Sequence, residues 1–371
     1  MESSGVKWVR LGDYIEQFRQ KCANNKAIVS GVDINKRFIP TRANLDGTDI
    51  SGYYLVPPTF FACNLMHIGR DERIPIAYND TDKDLVVTSA YYVFHIKQDK
   101  CDEILNEYLY IIFSNKEIDR LTWFYTDSSI RGNLKENRFL DIEIPLPSVA
   151  EQQKVVNAWR AFREIKEQNE AKAAPLMQLC QSYIQELKHK YPMQEIGPYL
   201  QFFKEKNKDN EIKLEQGINI AKEFITPQRS NSDLSSRIKV RTGQFAYCTQ
   251  LNNENVAISL RVGPDCVVSP VYEVFEIKKE YKHILNSEYL LLWLIRKEFG
   301  RYVYWSSVGS AYEFLRYDNL YSYKIPLPPI EVQQAIVNIY KCANEAKRIA
   351  EEADRLSREV CPALLQHVIH S

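Results

Sequence analysis

The chain has 371 residues, with 48 Lys and Arg against 48 Asp and Glu, and so carries no formal net charge. That balance excludes a non-specific polyanion coat but leaves room for a sequence reader working inside a larger complex. No apolar run approaches membrane-spanning length, and the start from Met1 to Trp8 does not read as a signal peptide, so a cytoplasmic chain with no membrane partner is expected.

In chain order, a short amphipathic segment over Leu11–Phe18 comes first, followed by strand-like runs rich in Val, Ile, Phe and Tyr. A helix is expected around Glu103 to Leu121, and polar turn-rich stretches fall at Asn64 to Arg73 and Thr126 to Asn137. Ile144-Pro145-Leu146-Pro147 is then an extended exit, because each proline fixes its own φ and disfavours helix in the residue before it. Helical periodicity starts at once after it and runs from Val149 to Lys190, with Val149, Val156, Trp159, Phe162, Ile165, Leu176, Leu179, Ile184 and Leu187 along one stripe. A break is expected at Pro175.

The whole series then returns. Ile196–Phe203 parallels Leu11–Phe18, and Gly217–Ile225 parallels Gly31–Ile39. Phe245 and Cys248 are matched with Phe60 and Cys63, and Val267–Lys278 with Val86–Lys97. A second helix is expected around Ser287 to Tyr302, with polar stretches at Gln250 to Asn255 and Ser306 to Ser310. Ile325-Pro326-Leu327-Pro328 recurs 181 positions after the first exit, and a second long helix runs from Ile330 with Ile336, Ile339, Ala343, Ala346, Ile349, Ala353, Leu356, Val360, Leu364 and Val368 on its stripe, interrupted by Pro362. Stripes this narrow on charged helices suit a coiled-coil seam. The chain is one unit duplicated in tandem, with a period far too long for a solenoid.

Catalytic motifs are scarce. Pro264-Asp265 followed by Glu276-Ile277-Lys278 spells the string of a magnesium nuclease, in which carboxylates hold metal and a lysine assists water. The matching stretch of the first half, Lys83-Asp84 then His95-Ile96-Lys97, lacks the second carboxylate, and the plain reading is a turn entering a strand with a solvated charged face. There is no glycine-rich phosphate loop, no G-x-S-x-G and no H-E-x-x-H. The eight cysteines show neither C-x-x-C nor histidines at zinc spacing, which predicts reduced core thiols and no metal.

Base-reading chemistry is better supplied. The polar loops of the first half carry Asn64, His67, Arg70 and Arg73, then Ser128, Arg131, Asn133, Lys135 and Asn137. Those of the second carry Gln250, Asn252, Asn253, Asn255 and Arg261, then Ser306, Ser307, Tyr312 and Arg316. Arg can bond guanine bidentately and Asn or Gln adenine, while Ser, Lys and Tyr suit phosphate. Any one of these is as well explained as a solvated loop residue; the signal is that matched loops of both repeats are supplied alike.

With these features the chain resembles the specificity subunit of a type I restriction-modification system. The tandem halves, the I-P-L-P exits with Gln152-Gln153 and Gln333-Gln334, the long helix after each, and the Pro362-Ala363-Leu364-Leu365 tail carry the likeness. One departure is that the acid before the glutamines is Glu151 in the first copy, whereas Val332 stands there in the second with Glu331 one place earlier. The resemblance implies an α+β fold: mixed α/β target-recognition domains at 1–148 and 191–329, and helices at 149–190 and 330–371 forming an antiparallel coiled coil. It further implies a non-catalytic chain in which each domain reads one half of a bipartite double-stranded DNA site. The helices, with their glutamine pairs, would dock two methyltransferase subunits that bring the S-adenosylmethionine site, the chain itself holding no cofactor, and a motor-nuclease subunit would cut. Two other readings stay open: a magnesium nuclease through Asp265, Glu276 and Lys278, told by cleavage with the metal, and a coiled-coil scaffold without DNA, against which the polar loops speak.

Overall fold

The computed structural model describes residues 6–22, 28–41, 44–45, 48–66, 68–127, 132–228, 233–251, 254–307 and 314–370. The chain divides into two compact units, Met1–Asn169 with Arg348–Ser371, and Glu170–Lys347.

The first unit opens with β1 (Lys7–Arg10), α1 (Leu11–Tyr14) and β2 (Ile15–Gln17). There follow β3 (Ile28–Val32), β4 (Phe38–Pro40), β5 (Tyr54–Val56), β6 (Phe61–Cys63), α2 (Ile68–Asp71), β7 (Ile76–Tyr78), β8 (Leu85–Val87) and β9 (Tyr92–Ile96). Then come α3 (Asn106–Phe113), α4 (Lys116–Phe124), α5 (Glu136–Leu140), β10 (Glu143–Leu146) and the start of α6 (Val149–Lys190). Two four-stranded sheets form, in the orders β2-β9-β6-β7 and β4-β3-β8-β5. The core lies between the first sheet and α3 and α5, where Phe61 stacks on Phe94 with centroids 5.0 Å apart and Phe113 on Phe139 at 6.1 Å. The proline exit is extended as expected, β10 pairing antiparallel with β1 so that Trp8 faces Pro145.

The second unit repeats this plan with β11 (Met193–Glu195), β12 (Leu200–Phe203), β13 (Gly217–Ile218), β14 (Phe224–Ile225), β15 (Ile238–Val240), β16 (Phe245–Cys248), β17 (Ile258–Leu260), β18 (Cys266–Val268) and β19 (Tyr272–Ile277). It continues through α7 (Ser287–Leu294), α8 (Lys297–Ser307), α9 (Tyr317–Tyr321), β20 (Lys324–Pro326) and α10 (Ile330–His370). The sheet β12-β19-β16-β17 reproduces β2-β9-β6-β7, and β11 with β20 reproduces β1 with β10.

Three sequence expectations are corrected. The helix read as continuous over 103–121 is two, α3 and α4, because Asn115 leaves helical geometry and caps α4 by accepting from the Glu117 N–H at 3.0 Å; α7 and α8 divide likewise. The partner of Phe245 is Phe61 rather than Phe60, since Phe61 faces Phe94 across the ladder as Phe245 faces Phe275. A slip of one residue sends a side chain to the other sheet face, and there Phe60 packs edge-on against Phe18 at 4.9 Å. Finally, neither Pro175 nor Pro362 ends its helix. Ala171 and Arg358, whose carbonyls lose a partner, are exposed, so water can take the place of the missing N–H.

The two long helices pair antiparallel within each unit. In the first, Val155, Val156, Trp159 and Phe162 of α6 share a core with Cys361, Leu364, Leu365, Val368 and Ile369 of α10, and Lys166 pairs with Asp354 at 3.2 Å. In the second, Cys180, Ile184 and Leu187 meet Val332, Ile336, Val337 and Ile339. Cys180, 1% exposed, holds the seam place expected of Leu179, which is 44% exposed.

Candidate nucleic-acid interface

In the first unit the polar stretches after β6 and α4 are built into one structure. Asn64 closes the first by donating its N–H to the Pro75 carbonyl at 2.9 Å, and its Oδ1 accepts from the Met66 N–H, also at 2.9 Å. Asp127 and Asn133 close the second: the Asp127 N–H donates to the Asn133 carbonyl at 2.9 Å, and Asp127 Oδ1 accepts from the Asn133 N–H at 3.1 Å. The stretches are then joined, the Leu134 N–H donating to the Leu65 carbonyl at 2.8 Å and the Gly69 N–H to the Gly132 carbonyl at 3.2 Å. Gly132 is required here: its φ is +58°, and an added Cβ would lie 2.3 Å from Gly69 Cα. Asn64, Arg70, Arg73, Asn133 and Lys135 are thereby gathered on one pair of loops. Arg73 and Lys135 are exposed, and Arg70 is held in fork geometry on Asp71 at 2.8 and 3.0 Å, which raises its pKa further. Asn133 Oδ1 is buried without a hydrogen-bond partner.

The second unit makes the same join. The Leu315 N–H donates to the Thr249 carbonyl at 2.8 Å, and Gln250 bridges to Phe314. Gln250, Asn255 and Arg316 are exposed. Arg316 begins α9, where its N–H is capped by Asn319 Oδ1 at 3.1 Å, leaving the guanidinium on the surface. Ser306 spends its hydroxyl on the Val303 carbonyl at 3.0 Å. His67, Ser128, Arg131, Asn252, Asn253 and Tyr312, with the side chain of Ser307, lie outside the described residues.

Arg261 does not belong with these loops. It is 6% exposed, donates through Nε to the Pro264 carbonyl at 2.6 Å and through Nη1 to Gln216, and lies over the Phe224 ring at 5.1 Å. It locks the β17–β18 turn and cannot reach a base. Gln152 and Gln333 are also removed from any docking surface, for both are fully buried. Gln152 accepts from the Leu105 N–H at 3.0 Å and donates to the Glu103 and Pro147 carbonyls at 2.8 and 3.0 Å. Gln333 repeats the set with the Asn286 N–H and the Ile284 and Pro328 carbonyls at 2.9, 2.7 and 2.8 Å. Each glutamine pins a helix start to the preceding domain. Gln153 and Gln334 are the half-exposed members of the pairs, bonded along the helix to Asn157 and Asn338, and Gln334 Oε1 also accepts from Asn286 Nδ2 at 2.9 Å.

The nuclease residues are engaged separately. Asp265 accepts from the Thr242 N–H at 2.9 Å, Glu276 from Gln244 at 3.3 Å, and Lys278 donates to the Pro198 carbonyl at 2.7 Å. No group of three metal-ligating side chains occurs among the described residues.

Sequence reasoning missed Asp127 and the Gly69–Gly132 contact, which align the loops. The signal was there: one glycine in each polar loop of the first half, in a chain that has only 13.

Among solved structures, the chain is similar to the S subunit of a type I restriction-modification system from M. genitalium, with TM-score 0.65 and 11% identity over 99% of this chain and 97% of that one. The HsdS subunit from Thermoanaerobacter tengcongensis aligns over 99% and 97% at TM-score 0.40 and 16% identity. A chain from a type I R-M complex described for its assembly and conformational transition aligns over 98% and 97% at TM-score 0.43 and 13% identity. No curated protein matches. No helix among the described residues is long and apolar enough to cross a membrane. The sequence model of the type I restriction modification DNA specificity domain matches residues 73–174 and again 186–342, one copy on each repeat. With the doubled fold and its doubled polar loops, this match makes the chain a member of the type I DNA specificity family, a subunit that supplies sequence specificity.

Proposed function

We propose that each unit reads one half of a bipartite double-stranded DNA site, and that α6 and α10 dock two methyltransferase subunits. Those subunits would bind S-adenosylmethionine and methylate DNA, and a motor-nuclease subunit would join them to cut. The observation that carries this reading is the repeated loop junction. The backbone bond Leu134 to Leu65 recurs as Leu315 to Thr249, while the side chains it presents change from Asn64, Arg73, Asn133 and Lys135 to Gln250, Asn255 and Arg316. A constant frame offering different donors and acceptors is what two different base sequences require. The chain as a whole carries no net charge, so partner subunits would contribute phosphate contacts.

The test is to co-express the chain with a type I methyltransferase subunit and map the methylated motif. Replacing residues 191–329 by the domain of a relative should change one half-site and leave the other intact. A change in both halves, or methylation without sequence preference, would sink the modular reading.

A further inference from the structure

The outer faces of α4 and α8 carry Lys, Glu and Arg at the same places and an aromatic at each of two more. In α4 the exposed residues are Lys116, Glu117, Arg120, Trp123 and Phe124; their counterparts in α8 are Lys297, Glu298, Arg301, Tyr304 and Trp305, of which only Tyr304 is half-buried. The buried positions of the same helices differ instead: Ile118, Asp119 and Thr122 against Phe299, Gly300 and Val303. This inverts the usual expectation, in which packing holds the buried face constant and the surface drifts. Folding explains Glu298, which accepts from Arg296 at 2.8 and 3.2 Å, but not the retained cations and aromatics. A lysine in the first helical turn opposes the dipole, and an exposed Arg120–Glu117 pair adds little. Phe124 and Trp305 stand 79% and 76% exposed, the one closing α4 and the other in the last turn of α8.

The chemistry of the stripe is Lys, Arg and an aromatic at intervals of four, along one side of a helix. Cations along a line match a phosphate backbone, and an aromatic at its end can wedge against a base step of a duplex. Its neighbours point to the same ligand. α2, which carries Arg70, packs on α4. α9, which begins after Arg316, is tied to α8 through Tyr302, whose hydroxyl donates to the Asn319 carbonyl at 3.2 Å. We infer that the outer faces of α4 and α8 are DNA-contact surfaces, with Lys116, Arg120, Lys297 and Arg301 on phosphates and Phe124 and Trp305 wedged against a base step. This rests on the DNA-specificity reading and adds a surface outside the loops.

The test uses the complex with the methyltransferase, a duplex bearing the mapped site, and a salt series. Arg120→Ala and Arg301→Ala should each weaken binding and lower the salt slope by about one. Phe124→Ala and Trp305→Ala should weaken it roughly 5- to 100-fold with the slope unchanged, while Phe124→Trp binds as wild type. The methylated motif and co-elution with the methyltransferase should stay as they are in every variant. Lost co-elution would make this face a protein-docking surface and overturn the inference. Unchanged affinity in all variants, beside a wild type that still selects its site, would overturn it and leave the specificity reading standing. A wild-type complex with no site preference would overturn both.

Discussion

Lys36 donates to Asp119 Oδ1 across 2.6 Å, with both side chains nearly sealed from water. Asp119 also accepts from the Ile74 N–H at 3.2 Å, and the Lys36 ammonium donates to the Phe113 carbonyl at the end of α3. Lys36 itself sits at φ 63° in the turn between β3 and β4, so the pair bolts a left-handed turn onto α3 and α4. Burial pushes the lysine pKa down, and Asp119 opposes that shift. Removing one member strands a buried charge. Asp119→Ala should therefore destabilise the first unit by about 3–5 kcal/mol, and Lys36→Met with Asp119→Leu should recover much of the loss. Urea unfolding of wild type and the two variants decides this; a double variant no better than the single would rule out charge stranding.

The second unit has the lysine without the acid. Lys222, at φ 66° in the matching turn, reaches the Leu294 carbonyl at 3.5 Å, and Gly300 stands where Asp119 stood. No acid can be placed there, because a Cβ on Gly300 would lie 2.0 Å from the Glu254 carbonyl oxygen. Burial alone brings the Lys222 pKa down from 10.5 to about 8. Below about pH 8 both folded and unfolded chains hold the proton, and the folded state bears the whole penalty. Between about 8 and 10.5 the unfolded chain binds more protons, so stability from this group rises with pH. Lys222→Met should then exceed wild type in stability at pH 7 by on the order of 1 kcal/mol, after discounting for solvent. The gap should close as pH approaches 10.5. A gap that is constant with pH would assign it to packing.

Gln152 and Gln333 separate folding from docking. Each saturates its amide on groups within its own domain, so Gln152→Leu or Gln333→Leu leaves buried backbone groups unpaired and should cost on the order of 3 kcal/mol. Gln153→Ala should change thermal stability by less than about 0.5 kcal/mol as a surface substitution, whereas Gln334→Ala also takes the acceptor from Asn286 Nδ2 and should cost about 1 kcal/mol. If the half-exposed pair contributes to docking, these two variants lower methyltransferase affinity at a temperature where both stay folded. Undiminished affinity measured by titration calorimetry would remove Gln153 and Gln334 from the docking surface.

The duplication, the extended proline exits and the antiparallel helices were legible because they are periodic or repeated, and repetition survives without knowledge of contacts. What one dimension hides is which side of an element a residue faces. Phe60 and Phe61 are adjacent, and only the ladder to Phe94 chooses between them. Arg261 reads like any loop arginine until Phe224, Gln216 and Pro264 are found around it. Gln152 and Gln153 look equivalent, yet one is sealed and the other is half-exposed. The prolines misled for a related reason: the lost N–H and the ring clash cost the same here, but seam packing by Cys361 and Leu365 offsets them around Pro362.

Two arginines of the second unit make opposite predictions. Arg316 is exposed at the start of α9, beside the junction of Leu315 with Thr249, and its guanidinium is free to meet a base edge or a phosphate. Arg316→Ala should leave unfolding unchanged to within about 0.5 kcal/mol. If it reads a base, binding falls by about 1–3 kcal/mol and one position of the second half-site relaxes. If it meets a phosphate, binding weakens evenly across sequences and the salt slope falls by about one. Arg261→Ala should do the reverse. It empties a buried position over Phe224 and leaves the Pro264 carbonyl and Gln216 Oε1 without their donor, a loss of about 1–3 kcal/mol for each group that stays buried. The motif methylated by folded protein should be that of wild type. Thermal unfolding and methylation mapping on both variants separate the roles, and a relaxed position in Arg261→Ala with no loss of stability would return Arg261 to the interface.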